Sequence, residues 1–292
     1  MTAPLLADDL GPRGKRRALI ASVVSGVVIA AIVAVAVLRL SDKGQLDASR
    51  WEPLTRWSVI RFLLGGLVQT LKAAAVAMVL AMIVGALLAL GRLARSPIMR
   101  WPAVAYIEFF RGVPVLLLIL FTAVGLPQYG VHLALLWYLV IALVAYNSAV
   151  LAEIFRSGIL SLDRGQTEAA YSLGLGYWQT MTSVVIPQAA RRMVPAIVSQ
   201  LVTLLKDTSL GFVIAFEELL SRSRSTGEFF GDPLQAVVFV ALMYIAVNFT
   251  LSRVANRLEV RQRRRYKAGA ISVAGAEDLT VVEARADAAT RR

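Results

Sequence analysis

The chain has 292 residues, of which 58% are hydrophobic and only 17% are charged, and its formal net charge is +12. Soluble domains have an apolar share nearer one half, so this composition excludes an ordinary soluble domain and places the chain in a lipid bilayer. The absence of cysteine excludes disulfides and thiolate metal sites.

Six apolar runs are long enough to cross about 30 Å of hydrocarbon, which takes roughly 20 helical residues. They are Ala18–Leu38, Phe62–Leu90, Trp101–Thr122, Leu133–Ile154, Val194–Leu220 and Leu234–Val254. We therefore predict an all-α integral membrane protein of about six transmembrane helices. The first run is too long for the apolar region of a signal peptide, about 7–15 residues, so we expect it to remain as a helix.

The basic residues predict the orientation, because short loops rich in Lys and Arg stay in the cytoplasm. With both termini inside, the inner segments hold Lys15, Arg16, Arg17, Arg92, Arg95, Arg100, Arg156, Arg164, Arg191, Arg192 and the run from Arg253 to Lys267. The first outer loop also holds five basic residues, which reduces the excess of basic residues on the inner side without reversing it. We predict a multi-pass protein of the cell membrane with both termini cytoplasmic.

The basic cluster "RQRRRYK" at Arg261–Lys267 invites a nucleic-acid interpretation. It follows directly on a transmembrane span, where anionic lipid and topology are the simpler causes, so we expect membrane lipid and no nucleic acid as its partner. The polar stretch at 273–292 has the composition of a disordered tail.

Catalytic signatures are missing from the sequence. The Gly14 stretch "GKRR" has neither the first glycine nor the Ser/Thr of a phosphate-binding loop, and "GLGYWQ" at Gly174 lacks the third glycine of a dinucleotide loop. His132 is the only histidine, and we interpret it as an interfacial residue rather than a metal ligand. We predict no catalytic residue, no metal site and no cofactor in this chain, so that any ATP and Mg²⁺ would be bound by another subunit.

The mixed segment Gly165–Ala189, "GQTEAAYSLGLGYWQTMTSVVIPQA", lies in the longest predicted inner loop. Its pattern predicts a first short helix capped by Thr167, with Glu168 in its first turn, that ends at Gly174. A second helical segment follows and is closed by Pro187. Such an elbow presents apolar side chains either to a groove on a soluble partner or to the lipid surface. These side chains are Tyr171, Leu173, Tyr177, Trp178 and Met181.

This segment resembles the EAA loop of ATP-binding-cassette importer permeases, whose pattern is EAA, a glycine after three residues, and a later hydrophobic-Pro pair. The matching positions are Glu168, Ala169, Ala170, Gly174, Ile186 and Pro187. The resemblance implies that the loop forms a coupling helix that docks on an ATPase subunit, and we add Tyr177 and Trp178 to this coupling surface.

Three further stretches resemble the polar amino-acid branch of these permeases, which includes glutamate, glutamine and histidine importers. They are "GGLVQTLKAAAVAMVLAMIVGALLALGRLARS" at Gly65–Ser96, "YIEFFRGVPVLLLILF" at Tyr106–Phe121 and "LLKDTSLGFVI" at Leu204–Ile214. Many members of this branch have five spans, so Ala18–Leu38 is expected to be an addition. Val113 stands where threonine is common, which removes a hydroxyl near the pathway.

We divide the chain accordingly. The predicted parts are an N-terminal cytoplasmic tail (1–17), an extra transmembrane helix (18–38), an extracytoplasmic loop (39–61), a permease domain (62–257) containing the EAA loop (165–189), and a basic, disordered cytoplasmic tail (258–292).

Charged groups at membrane depth cost at least about 2.5–3.5 kcal/mol each on insertion scales, so they normally face a cavity or a partner. We predict a substrate pathway lined by Lys72, Glu108, Arg111, Lys206, Asp207, Thr208 and Ser209. The alternative is purely structural: Glu108 and Arg111, three residues apart, could pair across one helix face, and Lys206 with Asp207 could brace helices.

The resemblance implies a permease subunit of an amino-acid importer, working with ATPase subunits, a second permease subunit and an extracytoplasmic solute-binding protein. Lys72, Arg111 and Lys206 would suit glutamate, which we favour, whereas Glu108, Glu153 and Asp207 could serve a basic amino acid. A secondary transporter that uses Asp207 as a proton relay stays open as an alternative.

Overall fold

The computed structural model describes residues 11–253 and residue 257, and regular structure in that part of the chain is helical throughout. The helices are α1 Pro12–Asp42, α2 Ala48–Thr55, α3 Trp57–Leu93, α4 Pro97–Gly112, α5 Val115–Gln128, α6 Leu135–Leu160, α7 Arg164–Ser172, α8 Tyr177–Thr180, α9 Ile186–Asp207, α10 Leu219–Phe230 and α11 Pro233–Arg253. The predicted C-terminal tail 258–292, and residues 1–10 of the predicted N-terminal tail, lie outside the described residues.

The predicted set of about six transmembrane helices is confirmed. Five helical segments within the described residues are long and apolar enough to cross a membrane: α1, α3, α6, the segment Tyr177–Ile214 and α11. The bent pair α4 and α5 passes the same test as a unit and supplies a sixth.

The third predicted span, Trp101–Thr122, is wrong as a single helix. The chain bends by 102° between α4 and α5, at Val113 and Pro114. Proline lacks the N–H that an α-helix needs and pushes the residue before it out of the helical region, and Val113 has an extended backbone with ψ of 129°. As a result α4 crosses the ends of α3 and α6, where Ile107 packs with Ala89 and Ala152.

The fifth predicted span, Val194–Leu220, is also wrong at both ends. The helix α9 begins earlier, at Ile186, and ends at Asp207, after which a 3₁₀ segment, Thr208–Ile214, follows. Ala215 then adopts a left-handed backbone with φ of 59°, and a separate helix, α10, begins at Leu219. The pattern of apolar residues continues through this region, but the helix itself is interrupted between Asp207 and Leu219.

The core of the fold is the packing of α3 against α6. One face of α3 carries small residues, including Ala74, Ala77, Ala81 and Gly85, all of which are buried. Small side chains let two helix backbones approach closely in a membrane, where no hydrophobic effect drives helices together. At Gly85 an added Cβ would lie 2.9 Å from the Ser148 carbonyl oxygen and 3.0 Å from the Leu151 Cβ.

Helix α1 contrasts with this core. No residue of its most apolar 18-residue window is buried against the rest of the described chain. The helix, Pro12–Asp42, is longer at each end than the predicted run Ala18–Leu38. An atom added as Cβ on Gly26 would meet nothing within 4 Å.

The close approach at Gly85 generates a prediction about stability. Gly85→Ala should lower the free energy of unfolding by roughly 1–3 kcal/mol, because the added methyl group pushes α3 away from α6. The matched control is Gly26→Ala, which adds the same group where nothing contacts it. Thermal unfolding of the detergent-solubilised protein measures both variants, and equal melting temperatures for the two would contradict the packing described here.

Candidate functional site

The predicted elbow is present as α7, α8 and the turn between them, but it begins and ends differently from the prediction. Asp163, not Thr167, caps α7, and its carboxylate accepts a hydrogen bond of 3.0 Å from the Gly165 N–H. Glu168 therefore lies one turn further into the helix than predicted. Its side chain is exposed, and so are the side chains of Gln166 and Ala169.

The predicted end of this helix at Gly174 is confirmed. Gly174 has φ of +78°, and its N–H donates to the Tyr171 carbonyl while the Leu175 N–H donates to the Ala170 carbonyl. This pair of bonds is a Schellman motif, which satisfies the last carbonyls of a helix through a left-handed residue. An added Cβ at Gly174 would meet nothing, so glycine is required by the backbone angle and not by a lack of space.

The second segment of the elbow does not close at Pro187. Helix α8 continues through a π-helical turn, Met181–Val185, into α9, and Pro187 occupies the first turn of α9. Proline has no N–H to donate to the α-helical hydrogen-bond ladder, and the π-helical turn directly before Pro187 is where this ladder is interrupted. Helix α8 is thus the first part of the candidate span Tyr177–Ile214, and no loop separates it from α9.

The apolar side chains of the elbow are mostly exposed. Leu173 is 82% exposed and Trp178 is 72% exposed, with Tyr171 and Tyr177 near half. Met181 is partly covered, because it lines with Tyr177 and Trp178 an apolar cavity of about 830 Å³ beside α3 and α4. Leu173 does not line this cavity, and its side chain is exposed.

Side-chain bonds tie the elbow to the membrane helices. The Gln188 amide donates to Gln166 at 3.2 Å, and the Arg192 guanidinium donates to the Ser161 carbonyl. Ala170, the third residue of the EAA motif, is buried, whereas Ala169 is exposed.

The predicted pairing of Glu108 with Arg111 is wrong. Glu108 accepts a salt bridge of 3.1 Å from Arg92 of α3, and the same guanidinium reaches Glu153 of α6 at 2.8 Å. Glu153 also pairs with Arg156 at 3.1 Å. The bend at Pro114 explains the difference, because it turns α4 across the end of α3 and so brings Glu108 to Arg92.

The remaining predicted pathway residues fall into two groups. Lys72 and Arg111 have exposed side chains on separate helices and form no salt bridge with a described residue. The other group, Lys206 to Ser209, lies together where α9 passes into the 3₁₀ segment. These four residues therefore lie at the end of α9, within the candidate span Tyr177–Ile214.

Within this second group each side chain has a different environment. Thr208 is fully buried and its hydroxyl donates to the Leu205 carbonyl at 2.7 Å, so it stabilises the helix end. Lys206 and Ser209 line a groove of about 570 Å³ between α9, α10 and α11. Asp207 is half-buried and does not line this groove.

A buried carboxylate that the sequence analysis missed supports the groove. Glu218 is fully buried and accepts hydrogen bonds from the Leu220 N–H at 2.8 Å and the Ser221 N–H at 2.7 Å, which caps α10. The Tyr244 hydroxyl donates to the same carboxylate at 2.7 Å. Burial raises the pKa of Glu218, whereas these three donors favour its ionised form.

Two further buried contacts connect the helices around this point. The Leu219 N–H donates to the Thr70 hydroxyl of α3 at 3.1 Å, and Gln200 of α9 donates to the fully buried Asn147 of α6 at 2.7 Å. The available sequence signal for Glu218 was an acidic residue directly before an apolar helical pattern, which is typical of a helix N-terminus. It was hidden because the predicted fifth span ran through this position.

Comparison with known proteins places these features in a family. The profile of the family described as "Binding-protein-dependent transport system inner membrane component" matches residues 77–264. The glutamate transport system permease protein GluD of Corynebacterium glutamicum is 41% identical over 232 residues, which cover 77% of this chain and 84% of that protein. The probable glutamine ABC transporter permease protein GlnP of Bacillus subtilis is 43% identical over 209 residues, covering 70% of this chain and 94% of that protein.

A solved structure shows the same fold. A chain in a crystal structure described as an amino acid ABC transporter with histidines superposes with a TM-score of 0.67 and 31% sequence identity, covering 69% of this chain and 94% of that chain.

The cap at Glu218 generates a second prediction. Glu218→Ala should destabilise the protein, because it leaves two partly buried N–H groups and the Tyr244 hydroxyl without an acceptor, at up to about 1–3 kcal/mol each. The adjacent Glu217→Ala is the control, since that side chain is 76% exposed and forms only a 3.4 Å contact with Arg222. Melting temperatures of the two purified variants are compared, and a Glu218→Ala protein as stable as Glu217→Ala would show that the buried bonds contribute little.

Proposed function

The chain belongs to the family of binding-protein-dependent transport system inner membrane components, and we propose that it forms the translocation pathway of an ATP-driven importer for polar amino acids of the glutamate type. Two relatives support this assignment, since they are named as glutamate and glutamine permeases and this chain covers most of their length. The resemblance in the EAA loop and in the three membrane stretches points to the same branch.

We propose that ATP hydrolysis takes place in separate ATPase subunits, which bind the ATP and Mg²⁺. The printed sequence contains no phosphate-binding loop, which supports the binding of ATP by a separate subunit. A second permease subunit, identical or related, would complete the pathway, and a solute-binding protein would deliver the amino acid from outside.

The coupling role is supported by an exposed apolar side chain on the elbow, that of Leu173. Leu173 protrudes just before the left-handed turn at Gly174, and no described residue covers it. An exposed apolar helix end of this kind suits insertion into a groove on a soluble partner. Glu168, Ala169, Ala170, Gly174, Tyr177, Trp178 and Pro187 form the proposed coupling segment.

The route of coupling follows from the continuity of α8 with α9. A displacement of Trp178 by the ATPase would be carried through the π-helical turn to Lys206 and Ser209 at the other end of α9, without a flexible loop between them. Two-state elements connected by rigid helices are a physical basis for such long-range coupling.

We propose that both termini are cytoplasmic and that the protein lies in the cell membrane as a multi-pass protein. Six spans put both ends on one side, and the elbow follows α6 at the end where Arg92 and Arg156 also lie. A concentration of basic residues at this end favours the cytoplasmic side.

The alternative of a proton-coupled secondary transporter gains no support. A proton relay needs acidic groups in sequence along the membrane interior. Of the acidic residues considered, Glu108 and Glu153 pair with Arg92, and Asp207 lies at a helix end beside Lys206.

A third prediction tests the coupling surface. Leu173→Gln should leave the permease folded but reduce binding-protein-stimulated ATP hydrolysis at least several-fold, because a polar side chain replaces the protruding apolar contact with the ATPase. The control Ser172→Gln introduces the same side chain at the neighbouring exposed position, around the helix from Leu173. Reconstituted complexes report ATPase activity and subunit stoichiometry, and full stimulation in Leu173→Gln would argue against docking through the elbow.

A further inference from the structure

The apolar cavity beside the elbow lies between the end of α3, the start of α4 and helix α8. Its volume of about 830 Å³ is within the range of roughly 300–1,000 Å³ that is typical of ligand pockets, and none of its lining residues is charged. The hydroxyl of Tyr106, which also lines it, donates to the Ala145 carbonyl at 3.3 Å and lies 3.2 Å from the Ser148 hydroxyl. The polar tip of this side chain is therefore already bonded, and the cavity suits an apolar chain.

One side of the cavity faces the hydrocarbon of the bilayer. Leu87 and Leu90 line it, are exposed, and belong to the candidate span Trp57–Leu93. Exposed leucines in a span contact lipid tails, which are as apolar as the leucine side chain itself. An acyl chain can therefore enter the cavity from the bilayer without passing through water.

The other side of the cavity has the composition of a bilayer surface. Tyr177 and Trp178 line it and are at least half exposed, and Ile98 and Met99 at the start of α4 line it with exposed side chains. Tyrosine and tryptophan are enriched at the level of the lipid headgroups, because each combines an apolar ring with a polar group. This edge of the cavity is thus suited to lie beside the headgroup of a lipid.

Two arginines flank the same edge. Arg95 directly follows Ala94, and Arg100 directly follows Met99, and both of these neighbours line the cavity. The side chains of both arginines are exposed, and neither takes part in any of the seven salt bridges among the described residues. Their guanidinium groups are therefore available to an anion.

No described carboxylate compensates these two charges. The segments of α3, α4 and α8 that line the cavity contain no Asp or Glu. Glu108 and Glu153 both form salt bridges with Arg92. Asp163, which caps α7, and the exposed Glu168 of the same helix do not line the cavity. The cavity thus combines an apolar interior with a positively charged edge.

We propose that this cavity binds an anionic phospholipid of the cytoplasmic leaflet, with an acyl chain among the apolar side chains and the phosphate group on Arg95 and Arg100. Basic pockets between transmembrane helices on the cytoplasmic side bind anionic headgroups, and guanidinium groups bind phosphate through paired N–H donors. Because Trp178 and Met181 line the cavity, the lipid would contact the start of the helical segment that leads into α9. The proposal rests on the membrane orientation proposed above and is independent of the substrate.

The test measures lipid binding to the complex purified through a tag on the full-length chain. The complex is delipidated in mild detergent, titrated with phosphatidylglycerol or with phosphatidylcholine of the same acyl chains, and analysed by native mass spectrometry. We expect phosphatidylglycerol to bind at least tenfold more tightly, at one site for each copy of this chain, since each basic residue near an anionic headgroup contributes roughly fivefold. Equal affinities for the two lipids would overturn the proposal.

A charge variant tests the headgroup contact. Arg95→Gln combined with Arg100→Gln should weaken the binding of phosphatidylglycerol roughly tenfold or more and leave that of phosphatidylcholine unchanged. The matched control is Arg16→Gln combined with Arg17→Gln, which removes the same charge from exposed positions on α1 that do not line the cavity. An equal loss in the two double variants would show that the lipid responds only to net charge, and would overturn the site.

A second variant tests the acyl-chain contact. Leu90→Trp fills part of the cavity and should weaken the binding of phosphatidylglycerol several-fold, whereas Leu64→Trp, at an exposed position of the same helix that does not line the cavity, should not. Glycerol phosphate, which has the charge but no acyl chain, should not compete. Unchanged binding in Leu90→Trp, or competition by glycerol phosphate, would contradict a lipid site. Melting temperatures of all variants separate a loss of binding from a loss of folding.

The occupant of the cavity and the function of the complex are tested separately. If this chain alone binds phosphatidylglycerol but the complex with its ATPase does not, a protein partner covers the cavity and the lipid proposal is overturned. If the complex binds the lipid as expected but takes up no amino acid when ATP and the solute-binding protein are supplied, the lipid site stands and the importer function fails.

Discussion

The structure depends on how the chain satisfies its backbone hydrogen bonds where it stops being a regular helix. Within hydrocarbon, an N–H or C=O group without a partner costs several kcal/mol, so a break in a helix is tolerated only where protein or a cavity surrounds it. The break after Asp207 meets this requirement: the Leu219 N–H donates to Thr70, and the Leu220 and Ser221 N–H groups donate to the Glu218 carboxylate. The Leu219 bond holds α10 against α3, and the Tyr244 hydroxyl joins α11 to the Glu218 carboxylate at the start of α10.

The break after Asp207 also determines where Lys206 and Ser209 lie. Because α9 ends at Asp207, Lys206 and Ser209 lie at the rim of a groove and not in the middle of a packed helix. Arg92, in contrast, has a structural role, because its guanidinium joins Glu108 of α4 to Glu153 of α6. The elbow lies at the opposite end of α9 from Lys206 and Asp207, so one continuous helical segment connects the proposed ATPase contact with these predicted pathway residues.

The spans, the elbow and its end at Gly174 were predictable because they depend on local signals: apolar length, and a glycine where the backbone turns left-handed. The bend at Pro114 was also readable in principle, yet the apolar run continues across it and conceals it. The pairing of Glu108 was not predictable, because helix spacing offers Arg111 three residues away, whereas the actual partner depends on the angle between α3 and α4. The role of Glu218 was hidden from the sequence, because it depends on burial and on the Tyr244 hydroxyl 26 residues along the chain.

The energy source of transport is the most direct test of the proposed function. Proteoliposomes that contain the complex purified through this chain are supplied with the solute-binding protein, and the uptake of labelled glutamate is followed with ATP present and the proton gradient abolished by an ionophore. The account predicts uptake that requires hydrolysable ATP and is unaffected by the ionophore. Uptake driven by an imposed proton gradient in the absence of ATP would contradict it.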